Sequence, residues 1–264
     1  MRLGISTACF YPLPLEEAVD RIAALGFDLI EIFFNTESEY KPAFLDLLSD
    51  RLRAHGISVV SIHPYTSLME GMLLFSQYDR RTEDGLRQYR RYLAAGRRLG
   101  ARYLTLHGER SMARETGPED LERRCAVYRR LCAAAAEEGM TIAQENVAWC
   151  KSKEPAYLRA LYENVPELRY TLDIKQAGRA GHDWREYLDV MGDRLVNVHI
   201  NDWSEQANCL LPGQGDMDYQ AFYRALRAAG YDGQTLIEVY SANYMADREL
   251  TDAADVLRRA MRLE

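Results

Sequence analysis

Thr141-Ile142-Ala143-Gln144-Glu145-Asn146, a helix-like segment over Ala156–Glu163, and Arg169-Tyr170-Thr171-Leu172-Asp173 read as strand, helix, strand. Both strand-like runs are short and apolar enough to be buried, which suits a parallel sheet covered by crossover helices. The same unit repeats outward in both directions. Upstream, the strand-like runs are Leu3–Thr7, Leu29–Phe34, Ser58–His63 and Tyr103–His107; downstream they are Val196–Ile200 and Leu236–Tyr240. Helical patterns alternate with them. Leu15–Leu25 stops at Gly26, Phe44–Ala54 at His55-Gly56, Leu86–Leu99 at Gly100, and a helix opened by Pro118 runs to Glu138 and stops at Gly139. Trp184–Met191, Tyr219–Ala229 and Thr251–Leu263 complete the set. Eight strands and eight helices in strict alternation over 264 residues predict an α/β fold, a closed (β/α)8 TIM barrel in one domain covering 1–264. The rival, a doubly wound open sheet, usually has a Gly-rich phosphate turn after its first strand. Here that turn reads Ala8-Cys9-Phe10-Tyr11-Pro12. The longest irregular stretch, Pro64 to Asp84, is a candidate lid.

Composition narrows the class. The chain is 47% hydrophobic and 28% charged, ordinary for a soluble globular protein, and no apolar run reaches the roughly 18 residues that span a bilayer. Met1-Arg2-Leu3-Gly4-Ile5-Ser6 enters a strand pattern directly, without a signal-peptide layout. Cys9, Cys125, Cys132, Cys150 and Cys209 are odd in number and contain no C-x-x-C pair, so a reduced cytoplasmic protein is the expectation. A net charge of −7 argues against broad binding to nucleic acid, which relies on neutralising phosphates.

Four successive strand-like runs end in potential metal ligands: Glu145, Asp173, His199 and Glu238. In a barrel the site lies at the C-terminal strand ends, and the last four strands are neighbours, so these side chains can converge. Three carboxylates and one imidazole suit one divalent ion such as Mn²⁺, Mg²⁺, Co²⁺ or Zn²⁺. Each residue alone could cap the following helix or pair with a cation. Four together, without an ion, would repel and be driven to protonated forms.

Several segments carry a family resemblance: Gln144-Glu145-Asn146, Leu172-Asp173-Ile174-Lys175, Val198-His199-Ile200-Asn201-Asp202, Pro212-Gly213-Gln214-Gly215-Asp216-Met217-Asp218, and Gly230-Tyr231-Asp232-Gly233 leading to Ile237-Glu238. With them the chain resembles the xylose-isomerase-like barrel superfamily, which contains sugar isomerases, sugar epimerases and the endonuclease IV group. The resemblance covers essentially the whole chain and is strongest from Thr141 to Tyr240. It implies metal ligation by Glu145, Asp173, His199 and Glu238. From the ketose 3-epimerase branch it also implies acid/base roles for Glu145 and Glu238. Such barrels often form dimers or tetramers, so the resemblance leaves a homo-oligomer open.

The chain departs from the superfamily pattern at three places. Gln176 stands where Asp-x-x-His has its histidine, Asp202-Trp203-Ser204-Glu205-Gln206 carries no histidine, and Lys151 stands where the 3-epimerases have a further glutamate. His63 and His107 do match strand-end histidines of the endonuclease IV group, and they are either substrate contacts or hydrogen-bonded structural residues. Glu31 is expected to face the barrel mouth or to pair with an arginine. Trp149 and Tyr240 either stack on a sugar face or pack at the rim. Arg110 and Arg114, Lys151 and Lys153, and Lys175 and Arg179 follow three successive strands. They suggest an anionic carbohydrate, unless they balance the acidic cluster or face solvent.

The expected activity is therefore a divalent-metal-dependent isomerase or epimerase on a sugar, sugar phosphate or polyol. Glu145 and Glu238 would exchange a proton through an enediolate, and His63, His107, Gln176, Lys151, Lys175 and Arg110 would contact substrate. The rivals are a metal-dependent phosphodiesterase acting on abasic DNA and a barrel that binds a ligand without turnover.

Overall fold

Alternating inward and outward residues on short strands leave two apolar layers to satisfy, one inside the sheet and one beneath helices. The structure, a computed structural model, describes residues 1–110 and 118–262. In chain order the strands are β1 (Arg2–Ser6), β2 (Leu29–Phe33), β3 (Ser58–His63), β4 (Tyr103–Leu106), β5 (Thr141–Glu145), β6 (Arg169–Asp173), β7 (Leu195–Ile200), β8 (Asp202–Ser204), β9 (Ala207–Leu210) and β10 (Gln234–Ile237). The helices are α1 (Leu15–Ala24), α2 (Pro42–His55), α3 (Glu70–Leu73), α4 (Asp79–Arg98), α5 (Pro118–Glu137), α6 (Pro155–Asn164), α7 (Ile174–Ala180), α8 (Trp184–Met191), α9 (Tyr219–Ala228) and α10 (Asp247–Arg262). Eight strands close in the order β1-β10-β7-β6-β5-β4-β3-β2, and all neighbours are parallel. The predicted TIM barrel is the observed fold.

The outward strand residues, among them Ile5, Ile30, Ile32, Ile62, Leu104, Leu172 and Val198, merge with the helices into one buried core. Burying each such side chain stabilises the fold by ~1.5–3 kcal/mol. A second, smaller cluster of Leu29, Val60 and Leu236, with Tyr103 against it, fills the lower barrel interior. Gly4 is required beside it, because a Cβ there would lie 2.4 Å from the Leu29 carbonyl oxygen and 2.7 Å from Leu236 Cδ2. Above this plug the inward residues turn polar, which is where the site begins.

The sequence boundaries shift at several elements. α4 starts at Asp79 and not at Leu86, because Gly85 allows the helix to pack on α3; a Cβ there would meet the Leu73 carbonyl oxygen at 2.5 Å. The stretch Pro64 to Asp84 is therefore mostly structured, with a 3-10 turn at Ser67–Met69 followed by α3 and the start of α4. It is fastened by Glu70, a buried residue that accepts from the Tyr89 hydroxyl (2.6 Å) and the Gly108 N–H (2.5 Å). The helix expected over Thr251–Leu263 begins at Asp247, and Leu263 and Arg114 lie outside the described residues. Besides α3, two elements were not anticipated: α7, which follows β6 without a loop, and the antiparallel hairpin β8–β9. Asp202 organises that hairpin. Its carboxylate accepts from the N–H groups of Trp203 (2.9 Å), Gly213 (2.9 Å) and Met217 (3.0 Å) and is fully buried.

Two predictions follow from these anchors. Asp202→Ala leaves three donors unsatisfied and should cost ~2–4 kcal/mol, read as a lowered midpoint in urea unfolding. Burial pushes the Glu70 carboxyl up to about 8, against the opposing hydrogen bonds from Tyr89 and Gly108. The folded state thus holds this proton more tightly than the unfolded chain, and stability should fall as pH rises from ~4.5 to ~8. Glu70→Gln keeps an acceptor toward the Gly108 N–H and turns its amide N–H₂ to the Tyr89 hydroxyl, which then accepts in place of donating, so it should remove that part of the decline, on the order of a few kcal/mol, in unfolding curves compared at pH 5 and 8.5.

Candidate metal centre

Strand ends deliver four side chains to one point. Asp173 on β6 and His199 on β7 are register partners, Leu236 on β10 pairs with His199, and Glu238 extends β10 by donating its N–H to the Ile200 carbonyl (3.0 Å). Glu145 closes β5. One ligand atom from each of Glu145, Asp173, His199 and Glu238 lies within 4.8 Å of the others. His199 Nδ1 is central, 3.2 Å from Glu238, 3.4 Å from Glu145 and 3.9 Å from Asp173. Glu145, Asp173 and His199 are buried, and Glu238 is 13% exposed toward the mouth.

The other imidazole nitrogen is tied down. His199 Nε2 lies 3.2 Å from Glu31, which also accepts from the hydroxyls of Ser61 (2.7 Å), Thr105 (2.9 Å) and Ser6 (3.4 Å). Glu31 is thus inward-facing, as expected, but its partner is a histidine and not an arginine. A carboxylate behind one ring nitrogen fixes the tautomer and aims the other nitrogen at a ligand. Asn146 braces the neighbouring strand end: its side chain accepts from the Asp173 N–H (2.8 Å) and donates to the Asp173 carbonyl (2.9 Å). Sequence reading did not single out Ser61 and Thr105. Their signal is a polar residue between two apolar ones, Val60 and Ile62 or Leu104 and Leu106, on a buried strand.

Charge in this cluster is only partly balanced. Burial raises the Asp173 carboxyl; Lys175 opposes this, but Glu238 and Glu145 add to it, and the result stands well above the usual carboxylate range. Burial also works against charge on Glu145 and Glu238. Histidines around Glu145, and Lys175 with His199 around Glu238, outweigh it and hold both well below that range. Burial lowers His199, yet Glu31 and Glu238 raise it well above its ordinary value. The raised Asp173 and His199 favour their protonated forms, and an ion bound to them would displace those protons. Glu145 Oε2, Asp173 Oδ2 and His199 Nδ1 are buried without hydrogen-bond partners. Such orphaned oxygens and nitrogen, in a hard and borderline donor set, fit a divalent ion.

The remaining expected residues divide into those at the cluster and those away from it. His63 and His107 meet Nε2 to Nε2 at 2.9 Å, and they lie 3.7 and 3.2 Å from Glu145 Oε2. Burial lowers both rings; Glu145 and Glu31 bring His63 above its usual value, whereas the neighbouring His63 charge keeps His107 below. Trp149 packs edge-on against His107. Lys175 points its ammonium at Glu238 (3.0 Å) and Asp173 (3.5 Å). Gln176 donates its N–H to Asp173 (2.9 Å), and its side chain accepts from the Ala148 N–H (3.3 Å). Arg179 donates to the Tyr240 hydroxyl (2.8 Å), and Lys153 pairs with Glu154 (3.5 Å). Lys151 is buried, with its N–H bonded to the Glu109 carbonyl (2.8 Å). Arg110 is exposed and bridges the backbone at Cys150.

A sequence model of the xylose isomerase-like TIM barrel matches residues 19–260. The chain belongs to that family. Among curated relatives of this xylose isomerase-like barrel, 3-dehydroshikimate dehydratase of Pseudomonas putida is 28% identical over 95% of the chain and 40% of the relative, so the chain spans less than half of that enzyme. Fructoselysine 3-epimerase of Shigella flexneri is 24% identical over 95% of the chain and 94% of the relative. The crystal structure of a D-tagatose 3-epimerase-like protein superposes with a TM-score of 0.83 at 18% identity, covering 100% of this chain and 98% of that one.

Because Glu31 fixes the ring that faces the ligands, Glu31→Gln should lower Mn²⁺ affinity ~10–100-fold. Calorimetric titration of the metal-free protein measures it.

Proposed function

We propose that the chain is a single-domain, cytoplasmic, divalent-metal-dependent isomerase or epimerase acting on a carbohydrate. The observation that carries this reading is the convergence of Glu145, Asp173, His199 and Glu238, with three of their ligand atoms making no hydrogen bond. These four would hold the ion. When bound, it would stabilise negative charge developing on oxygen as a proton leaves the carbon beside a carbonyl. Glu145 and Glu238 stand at the two flanks of the arc β10-β7-β6-β5. From there one carboxylate can take a proton from one face of the substrate while the other returns it to the opposite face, a contribution of ~10²–10⁴-fold. His63 and His107 adjoin Glu145 and are placed to hydrogen-bond substrate hydroxyls, as is the Gln176 amide. Arg110 and Lys151, on the loops after β4 and β5, are assigned to an anionic substituent of the substrate. An epimerase and a dehydratase among the relatives support proton chemistry of this kind. For the location, the support is that all five cysteines are free and that no described helix is long and apolar enough to cross a membrane.

One observation favours a second reading. His63, His107 and Glu145 also bring ligand atoms within 4.8 Å of one another, as a second ion of a phosphodiesterase would need. Metal analysis separates the two: the isomerase reading expects one ion per chain and no cleavage of abasic DNA. It further expects Glu238→Gln to abolish turnover and to weaken metal binding strongly. Turnover is followed as solvent deuterium entering ketoses and sugar phosphates with Mn²⁺ present; full activity in that variant discards the mechanism.

A further inference from the structure

A lysine occupies an unfavourable place beside the ligand cluster. Lys175 is the second residue of α7, whose N-cap is the ligand Asp173 itself. A cation in the first turn opposes the helix dipole. Lys175 is also only 4% exposed, so its ammonium has given up most of its water. Both costs are offset by one set of contacts. The ammonium lies 3.0 Å from Glu238 Oε2 and 3.5 Å from Asp173 Oδ2, and 5.2 Å above the Tyr240 ring. Arg179 sits on the same ring at 5.5 Å and donates to its hydroxyl, which fixes the aromatic wall behind Lys175.

Two of the three ligand carboxylates are therefore already engaged by a cation supplied by the chain. Glu238 Oε2 is shared between that ammonium and His199 Nδ1, which lies 3.2 Å away on the other side. We propose that Lys175 is the resident counter-cation of the cradle, a positioning residue that holds Glu238 and Asp173 in place and competes with the divalent ion for them. The inference rests on the cradle's being a metal site. An ion drawn to the same oxygens stands one carboxylate away from a fixed positive charge, and the two repel. The cradle is thereby preassembled at the expense of affinity: the metal is held more loosely than three carboxylates and an imidazole alone would hold it. A lysine that served only to support the fold would act in the opposite direction, because its loss would loosen the cradle and weaken the metal.

The test is Mn²⁺ affinity, measured by calorimetric titration of chelator-treated protein, for wild type and for Lys175→Met, which keeps the unbranched stem, one atom shorter, without the charge. The variant is expected to bind one Mn²⁺ at least ~10-fold more tightly, about 1.4 kcal/mol. Its metal-free form is expected to melt at lower temperature than wild type, and saturating Mn²⁺ should recover most of the difference. Should Lys175→Met fail to fold without metal, Lys175→Gln, neutral and polar, is titrated in its place with the same expected gain. Unchanged or weaker Mn²⁺ affinity in the neutral variant overturns the proposal while leaving the metal site standing. Wild-type protein that takes up no Mn²⁺ overturns both.

Discussion

Three carboxylates and one imidazole meet within a few ångströms in the barrel mouth, and the rest of the site is arranged around the repulsion this creates. Like charges at such separation cannot all remain ionised in a buried place. The chain answers by raising Asp173 and His199 above their ordinary ranges, with the Lys175 ammonium, and with a gap lined by atoms that make no hydrogen bond. The divalent ion proposed above would engage these atoms together.

The barrel makes that convergence possible and also sets its rigidity. Glu31 reaches across the interior from β2 to His199 on β7, and hydroxyls from β1, β3 and β4 converge on the same carboxylate. The orientation of one ring is thus shared among five strands, and it cannot shift without disturbing each of them. Asn146 does the same work locally by bridging the end of β5 to both backbone groups of Asp173. Below this polar layer, Leu29, Val60 and Leu236 exclude water from the barrel floor, so the polar groups above face only the mouth and one another.

The two glutamates assigned to proton exchange do not share an environment. Glu145 faces a pair of histidines in contact with each other, whereas Glu238 is held between Lys175 and His199. Lys175 also shows how loop cations divide by depth. Of the basic residues following β4, β5 and β6, Arg110 is exposed, Lys153 and Arg179 pair locally, and Lys175 reaches the cluster itself.

The eight-fold alternation and the strand-end positions of Glu145, Asp173, His199 and Glu238 were legible from the chain, because burial on both faces forces apolar runs and a charged residue at the end of such a run stands out. The start of α4 was not, since the segment 79–85 has no large apolar residue to mark a buried face and buries only Thr82 and Gly85, the latter close against α3. Nor were α7 and the β8–β9 hairpin, which depend on Asp173 and Asp202 accepting backbone N–H groups brought to them by the fold. Residue types and spacing determined that Glu145, Asp173, His199 and Glu238 would end neighbouring strands. Only the closed barrel decided that Glu31, far away in the chain, stands behind His199 and that Lys175 turns inward, because closure brings the first strands against the last and a linear pattern records no distance across the ring.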